Sequence, residues 1–265
     1  MPALLGASRP PDPFEAPGLE IFRPPCISEW DLFGIHFCVD RGILYMFLAA
    51  AIVIVLFVLA AVRGGLIPRG VRNFVETVVD FIREEIAIQV IGKEGRPWVP
   101  FLTALFSFIL VGNIFGIIPG IQFPVNGRIA IPAFLAALVW ILFNVVGIKA
   151  QGMAYFNNAL FPPGVPKAMY VLLTPIEFVS TFILRPFTLA VRLLANMMAG
   201  HLILSIFFLG TAYLLAQPAT IPFAVPAFAL SVALTGFEIL VAVLQAYIFT
   251  ILTAVYIAGA VHPEH

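Results

Sequence analysis

"ILYMFLAAAIVIVLFVLAAV", residues 43–62, runs for twenty residues without one charge. At about 1.5 Å of rise per residue, a helix of that length extends about 30 Å, the thickness of a bilayer's hydrocarbon layer. A helix apolar on every side has no face to offer water, so this stretch reads as a transmembrane span. The rest of the chain agrees. Of its 265 residues, 62% are hydrophobic and 11% charged, about half the charge of a water-soluble domain. Residues 98–118 and 130–148 form a second and a third span, the second closed by Pro119-Gly120. Two longer apolar segments, 168–210 and 223–261, follow. The fold class is therefore an all-α membrane protein with about five membrane helices.

The segments between the spans set the orientation. Connection 63–96 holds six basic residues, Arg63, Arg69, Arg72, Arg83, Lys93 and Arg96. Within it Val71, Phe74, Val75, Val78, Ile82 and Ile86 recur at helical spacing, opposite Glu76, Asp80, Arg83 and Glu84. That pattern predicts an amphipathic helix on the membrane surface. Lys149 and Lys167 follow the third span, and Arg128 alone lies between spans two and three. Short basic loops stay cytoplasmic. The N-terminus is thus expected outside, with the C-terminal HPEH inside. Residues 1–42 make a Pro-rich extracytoplasmic segment with six acids and three arginines. No apolar stretch with a small-residue cleavage site precedes residue 43, so no removable signal peptide is expected. Cys26 and Cys38, twelve apart, fit a disulfide in an oxidising space or two unpaired thiols in a loop. The sequence has no CxxC, HExxH, GxxxxGK or GxGxxG, so no metal site, cofactor or nucleotide fold is expected, and no nucleic-acid partner.

The last two segments exceed an upright span. Forty helical residues extend about 60 Å. Each must either break, at Gly200 or Gly210 for the first, or lie strongly inclined, and inclination is the reading adopted. Folded as a hairpin about Pro218–Pro222, the pair places His201 level with Glu238 and Arg192 level with Gln245.

From residue 168 onward the only Asp, Glu, Lys or Arg residues are Glu177, Arg185, Arg192, Glu238 and Glu264. Arg185 reads as an anchor near the interface, its head reaching water. Arg192 is deeper, and placing it at the bilayer centre costs about 2.5–3.5 kcal/mol on insertion scales. Its own chain supplies no acid nearby. Arginine stays protonated in proteins, so it cannot carry protons, but it favours the ionised form of a neighbouring carboxylate. Histidine and glutamate can exchange protons. At 100° per residue His201 lies opposite Arg192 on the helix, while Asn196 stays on the arginine's side. The carboxylate that Arg192 needs must come from another, moving chain.

"RPFTLAVRLLANMMAGH" (185–201) with "LVAVLQAYIFTILTAVYI" (240–257) resembles subunit a of the rotary F-type ATP synthase. "VGNIFGIIPG" (111–120) is similar to that family's second span, with Asn113 and Pro119 in place. The resemblance runs from residue 43 to the C-terminus. It implies a non-catalytic, multi-pass subunit of the bacterial inner membrane. The implied partners are the c-ring, subunit b of the peripheral stalk, the rest of F1Fo and the lipid bilayer. Arg192 would face the c-ring carboxylate and block a proton short circuit, with Asn196 and Gln245 as neighbours. His201 and Glu238 would serve the outer proton path; the family uses one acid and one histidine there, in either order. Glu177 would be the cytoplasmic-side acid, and Gly116 stands near a place where some members carry another. Two other classes were weighed on the residues: a self-contained ion channel or secondary transporter, and an inert assembly subunit. No internal repeat of the transporter kind is present.

Overall fold

The computed structural model describes residues 14, 16–22, 26–32, 35–62, 70–118, 121–161, 166 and 169–261. Arg63, Arg69, Pro119-Gly120, Lys167, Glu264 and the terminal HPEH lie outside the described residues. Among those described, five helical stretches are long and apolar enough to cross a bilayer: Arg41–Val62, Lys93–Ile114, Ala130–Gln151, Tyr170–Leu215 and Pro218–Val261. We number the α-helices α1 (Arg41–Val62), α2 (Val71–Phe81), α3 (Val99–Ile114), α4 (Ala130–Gln151), α5 (Ala154–Leu160), α6 (Tyr170–Phe178), α7 (Arg185–Leu215) and α8 (Ile221–Val261). The all-α membrane class is the observed one.

Helix association in lipid cannot rest on the hydrophobic effect, because lipid tails are as apolar as leucine; close packing through small residues takes its place. The buried face of α8 has this composition, with Ala242, Ala246, Ala254 and Ala260 interleaved with Phe249 and Ile257. Thr250 and Thr253 on the same face donate their hydroxyls to the carbonyls of Ala246 and Phe249, both at 2.8 Å. Those buried hydroxyls therefore need no partner outside the helix. Helix α7 packs on α8 and α4, and α8 also on α3 and α4. Helix α1 stands at the margin, with only Gly42, Ala49 and Val53 buried.

The final two segments are long hairpin arms, joined through a tight turn at Pro218–Thr220. Helix α7 passes unbroken through Gly200 and Gly210. The 46 residues of Tyr170–Leu215 far exceed the reach of an upright span, and only an inclined arm keeps them within the hydrocarbon layer. The one irregularity is a π-helical stretch, Val179–Leu184, ahead of Pro186. Proline has no N–H for the preceding turn, and a widened turn accommodates that loss.

Three details depart from the sequence reading. The amphipathic segment changes from α2 to π-helical turns at Ile82–Ile91, and its inner half is covered by protein. Ile82 and Ile86 are fully buried against the bundle, while Val71 and Phe74 are exposed. The second span ends at Ile114, earlier than residue 118, and continues as hydrogen-bonded turns through Ile118. The N-terminal segment contains an antiparallel hairpin, β1 (Ser28–Leu32) and β2 (Ile35–Val39), pairing Glu29 with Cys38. Cys26 and Cys38 are joined as a disulfide, with Cα atoms 5.5 Å apart. Just beyond β2, Asp40 caps α1, accepting from the Ile43 N–H at 3.0 Å. Its carboxylate also pairs with Arg128 from the loop before α4, which ties the hairpin to the bundle.

Candidate functional site

The buried stripe of α7 follows the helical repeat: Leu189, Leu193, Met197, His201, Leu204 and Thr211. Arg192 falls outside it and is exposed, 22 residues after Tyr170 and 23 before Leu215. Ala195, Asn196, Ala199 and Ile203 share its exposed side. Among the described residues, none hydrogen-bonds to Arg192 or forms an ion pair with it. The angular division read from the sequence is therefore present, with His201 inward and Arg192 outward. The arginine's exposed side chain is accessible from outside the bundle.

Beside it lies a closed amide pair. Asn196 Nδ2 donates to Gln245 Oε1 at 2.7 Å, joining α7 to α8. Gln245 is buried, and its own Nε2 has no protein partner. One turn further along α7, Glu238 of α8 is buried at 7% exposure. Its carboxylate sits where the side chain of residue 200 would be; a Cβ on Gly200 would overlap both oxygens. Gly200 had been a candidate helix break. In the fold it is the recess that admits the carboxylate. A cavity of about 270 Å³ opens there between the arms, lined by Asn196, Gly200, Leu204, Leu234 and Glu238 among others.

His201 turns away from that cavity. Its imidazole faces the Gly116 backbone at the end of α3 and meets the Phe22 ring edge-on, with centroids 5.6 Å apart. Nδ1 is buried and unpartnered. His201 and Glu238 are thus level, as the hairpin register predicts, but occupy two recesses on adjacent faces of α7. The two groups are divided because consecutive residues 200 and 201 point 100° apart. Gly116, noted for lacking an acid, is the backbone position that the histidine faces.

Asn113 and Asn126 form a second buried amide pair, both 0% exposed. Asn126 Nδ2 donates to Asn113 Oδ1 at 2.7 Å, and Asn113 Nδ2 to the Ala242 carbonyl at 3.4 Å. A short turn at Val125–Gly127 carries Asn126 inward. Sequence reasoning assigned no role to Asn126; the Asn-Gly in "PVNGR" reads as turn chemistry, which hides a residue that plugs a helix contact. Glu177, on α6, is half-buried and bonds to no described residue. The π-helical stretch separates it from α7, and among the described residues no hydrogen bond or ion pair joins it to another site residue. Arg185, expected to reach water, is half-buried and lies over the Tyr256 ring, 5.5 Å from its centroid. Desolvation raises the pKa of the neighbouring Tyr155 hydroxyl, which donates to Asn144 Oδ1 at 3.2 Å.

A family model described as ATP synthase A chain matches residues 43–258. The chain belongs to the ATP synthase A chain family. It is 46% identical to the "ATP synthase subunit a" of Parafrankia sp. (strain EAN1pec), over 94% of this chain and 85% of that protein. With the same-named protein of Frankia alni the identity is 45%, over 95% and 88% of the two chains. For Rhodococcus erythropolis it is 44%, over 96% and 92%. The resemblance read from residues 185–201 and 240–257 holds, and with it the class of Fo proton-channel component of a bacterial, multi-pass membrane complex. A self-contained transporter finds no support in these likenesses.

Proposed function

We propose that this subunit, itself non-catalytic, provides two offset proton half-channels to a rotating c-ring, with Arg192 as the barrier between them. The observation that carries the reading is an exposed guanidinium, midway along a membrane-length helix and without a described partner of its own chain. An isolated cation at that depth is tolerated only with compensation from outside the bundle. A carboxylate presented by each passing ring helix supplies it.

In this reading the N-terminus and the β-hairpin lie outside; a disulfide belongs to that oxidising side. Protons reach the outer path through His201 and Glu238, and Asn196 and Gln245 hold its inner end beside Arg192. The orphaned Nδ1 of His201 and Nε2 of Gln245 are polar atoms that water would satisfy. A ring carboxylate that takes a proton there becomes neutral and can turn into lipid. It releases the proton toward the cytoplasm through a second path for which Glu177 is the nearest acid. Asn113 supports the outer path from α3. Each charge crossing the full potential releases about 2.3 kcal/mol per 100 mV, and rotation conveys this to the catalytic head. Subunit b holds the chain stationary against the head.

The deciding experiment uses the purified complex in liposomes. Arg192→Ala is expected to abolish ATP synthesis driven by a proton gradient, and Arg192→Lys to fail as well, since a desolvated lysine gives up its proton. Normal coupled synthesis in the alanine variant would overturn the assignment.

A further inference from the structure

We propose that Phe22 is the lid over His201 on the outer side, and that the Cys26–Cys38 hairpin clasps that lid in place. The inference rests on the reading of His201 as an outer proton group, and adds a positioning residue that acts through it. Phe22 closes the short turn Leu19–Phe22 and is only 5% exposed. One edge of its ring meets the imidazole at 64°. Its flank lies on Gly127, where an added Cβ would stand 3.2 Å from the ring. The same strand of chain is anchored again further out along α7, where Phe14 packs on the Tyr213 ring at 5.5 Å. Two aromatic contacts, from Phe14 and Phe22, therefore fall on α7 at Tyr213 and His201.

The contacts around Phe22 form a closed circuit. Phe22 touches Gly127; the next residue, Arg128, pairs with Asp40; Asp40 follows β2, which carries Cys38; and Cys38 is bonded to Cys26, four residues after Phe22. The disulfide thus lies four residues along the chain from Phe22 and limits how far that residue can move from Gly127. Closed, the lid sets an apolar ring against a buried imidazole whose Nδ1 has no protein partner. Bulk water is excluded from that side, and proton transfer proceeds through whatever few waters fit beside the ring.

The test is chemical modification of His201 by diethyl pyrocarbonate in the intact complex, quantified by mass spectrometry of the digested subunit. His201 in the unchanged chain is expected to react slowly. Phe22→Ala should raise its rate by about tenfold or more, as easier local opening does. Phe22→Leu, which keeps an apolar plug, should stay near the unchanged rate. Cys26→Ser/Cys38→Ser should raise it severalfold while the subunit still co-purifies with the complex. Rates in Phe22→Ala that match the unchanged chain overturn the lid. The role of His201 is judged separately by His201→Ala. If that variant pumps normally while Phe22→Ala still exposes the imidazole, the lid stands and the proton role falls.

Discussion

Gly200→Ala tests how Glu238 is held. The new methyl would occupy the space of both carboxylate oxygens, so the carboxyl must swing out of its recess. Two effects on stability oppose each other. Alanine favours a helix interior over glycine by about 1 kcal/mol, while an extra methyl in a packed site costs about 1–3 kcal/mol. Because the displaced atoms are the far end of a flexible side chain, the cost belongs at the low end. Folding and assembly should therefore change by no more than about 2 kcal/mol, and the complex should purify normally. Function should fare worse. Misplacing a reacting group by about 1 Å can cost about 10²-fold in rate, and the carboxyl moves at least that far. ATP synthesis driven by a proton gradient in liposomes should thus fall by more than tenfold, with a normal thermal transition. Shortening the acid in the same background (Gly200→Ala with Glu238→Asp) gives the methyl room and should recover part of the rate. Full activity in Gly200→Ala alone would refute the claim that the recess positions Glu238.

Other perturbations follow from the packing. Asn126→Ala removes the donor to Asn113 Oδ1 and leaves a buried acceptor unsatisfied. A loss of about 1–3 kcal/mol is expected, seen as a lower dissociation temperature of the subunit from the complex; an unchanged temperature would mean water replaces the amide without cost. Arg128→Ala strips the buried Asp40 of its cation. That should destabilise the loop before α4 by about 1.5–3 kcal/mol, the usual range for a charged hydrogen bond. Limited proteolysis of the purified complex should then cut residues 121–129 faster, and an unaltered cleavage pattern would argue that the pair is idle.

Much of this protein follows from sequence because a bilayer leaves few choices. Backbone polar groups in hydrocarbon must be satisfied within the segment, so a twenty-residue apolar run such as 43–62 can only be a helix. The solitary Arg192 was legible for the same reason: a charge among leucines has a cost that composition alone exposes. The helical repeat also placed His201 opposite the arginine, and the hairpin register set it level with Glu238.

What sequence left undecided depends on contacts between distant segments. The divided recesses of His201 and Glu238 follow from the Gly116 turn and Phe22 meeting one face of α7 and α8 packing against the next. Gly200 carries no side chain, so only its neighbour reveals its purpose. Asn126 and Phe22 stand in stretches that read as turn and Pro-rich tail, and nothing local points them at Asn113 or His201. Sequence periodicity reports which way a side chain leaves its own helix; what stands there to meet it is set by tertiary packing.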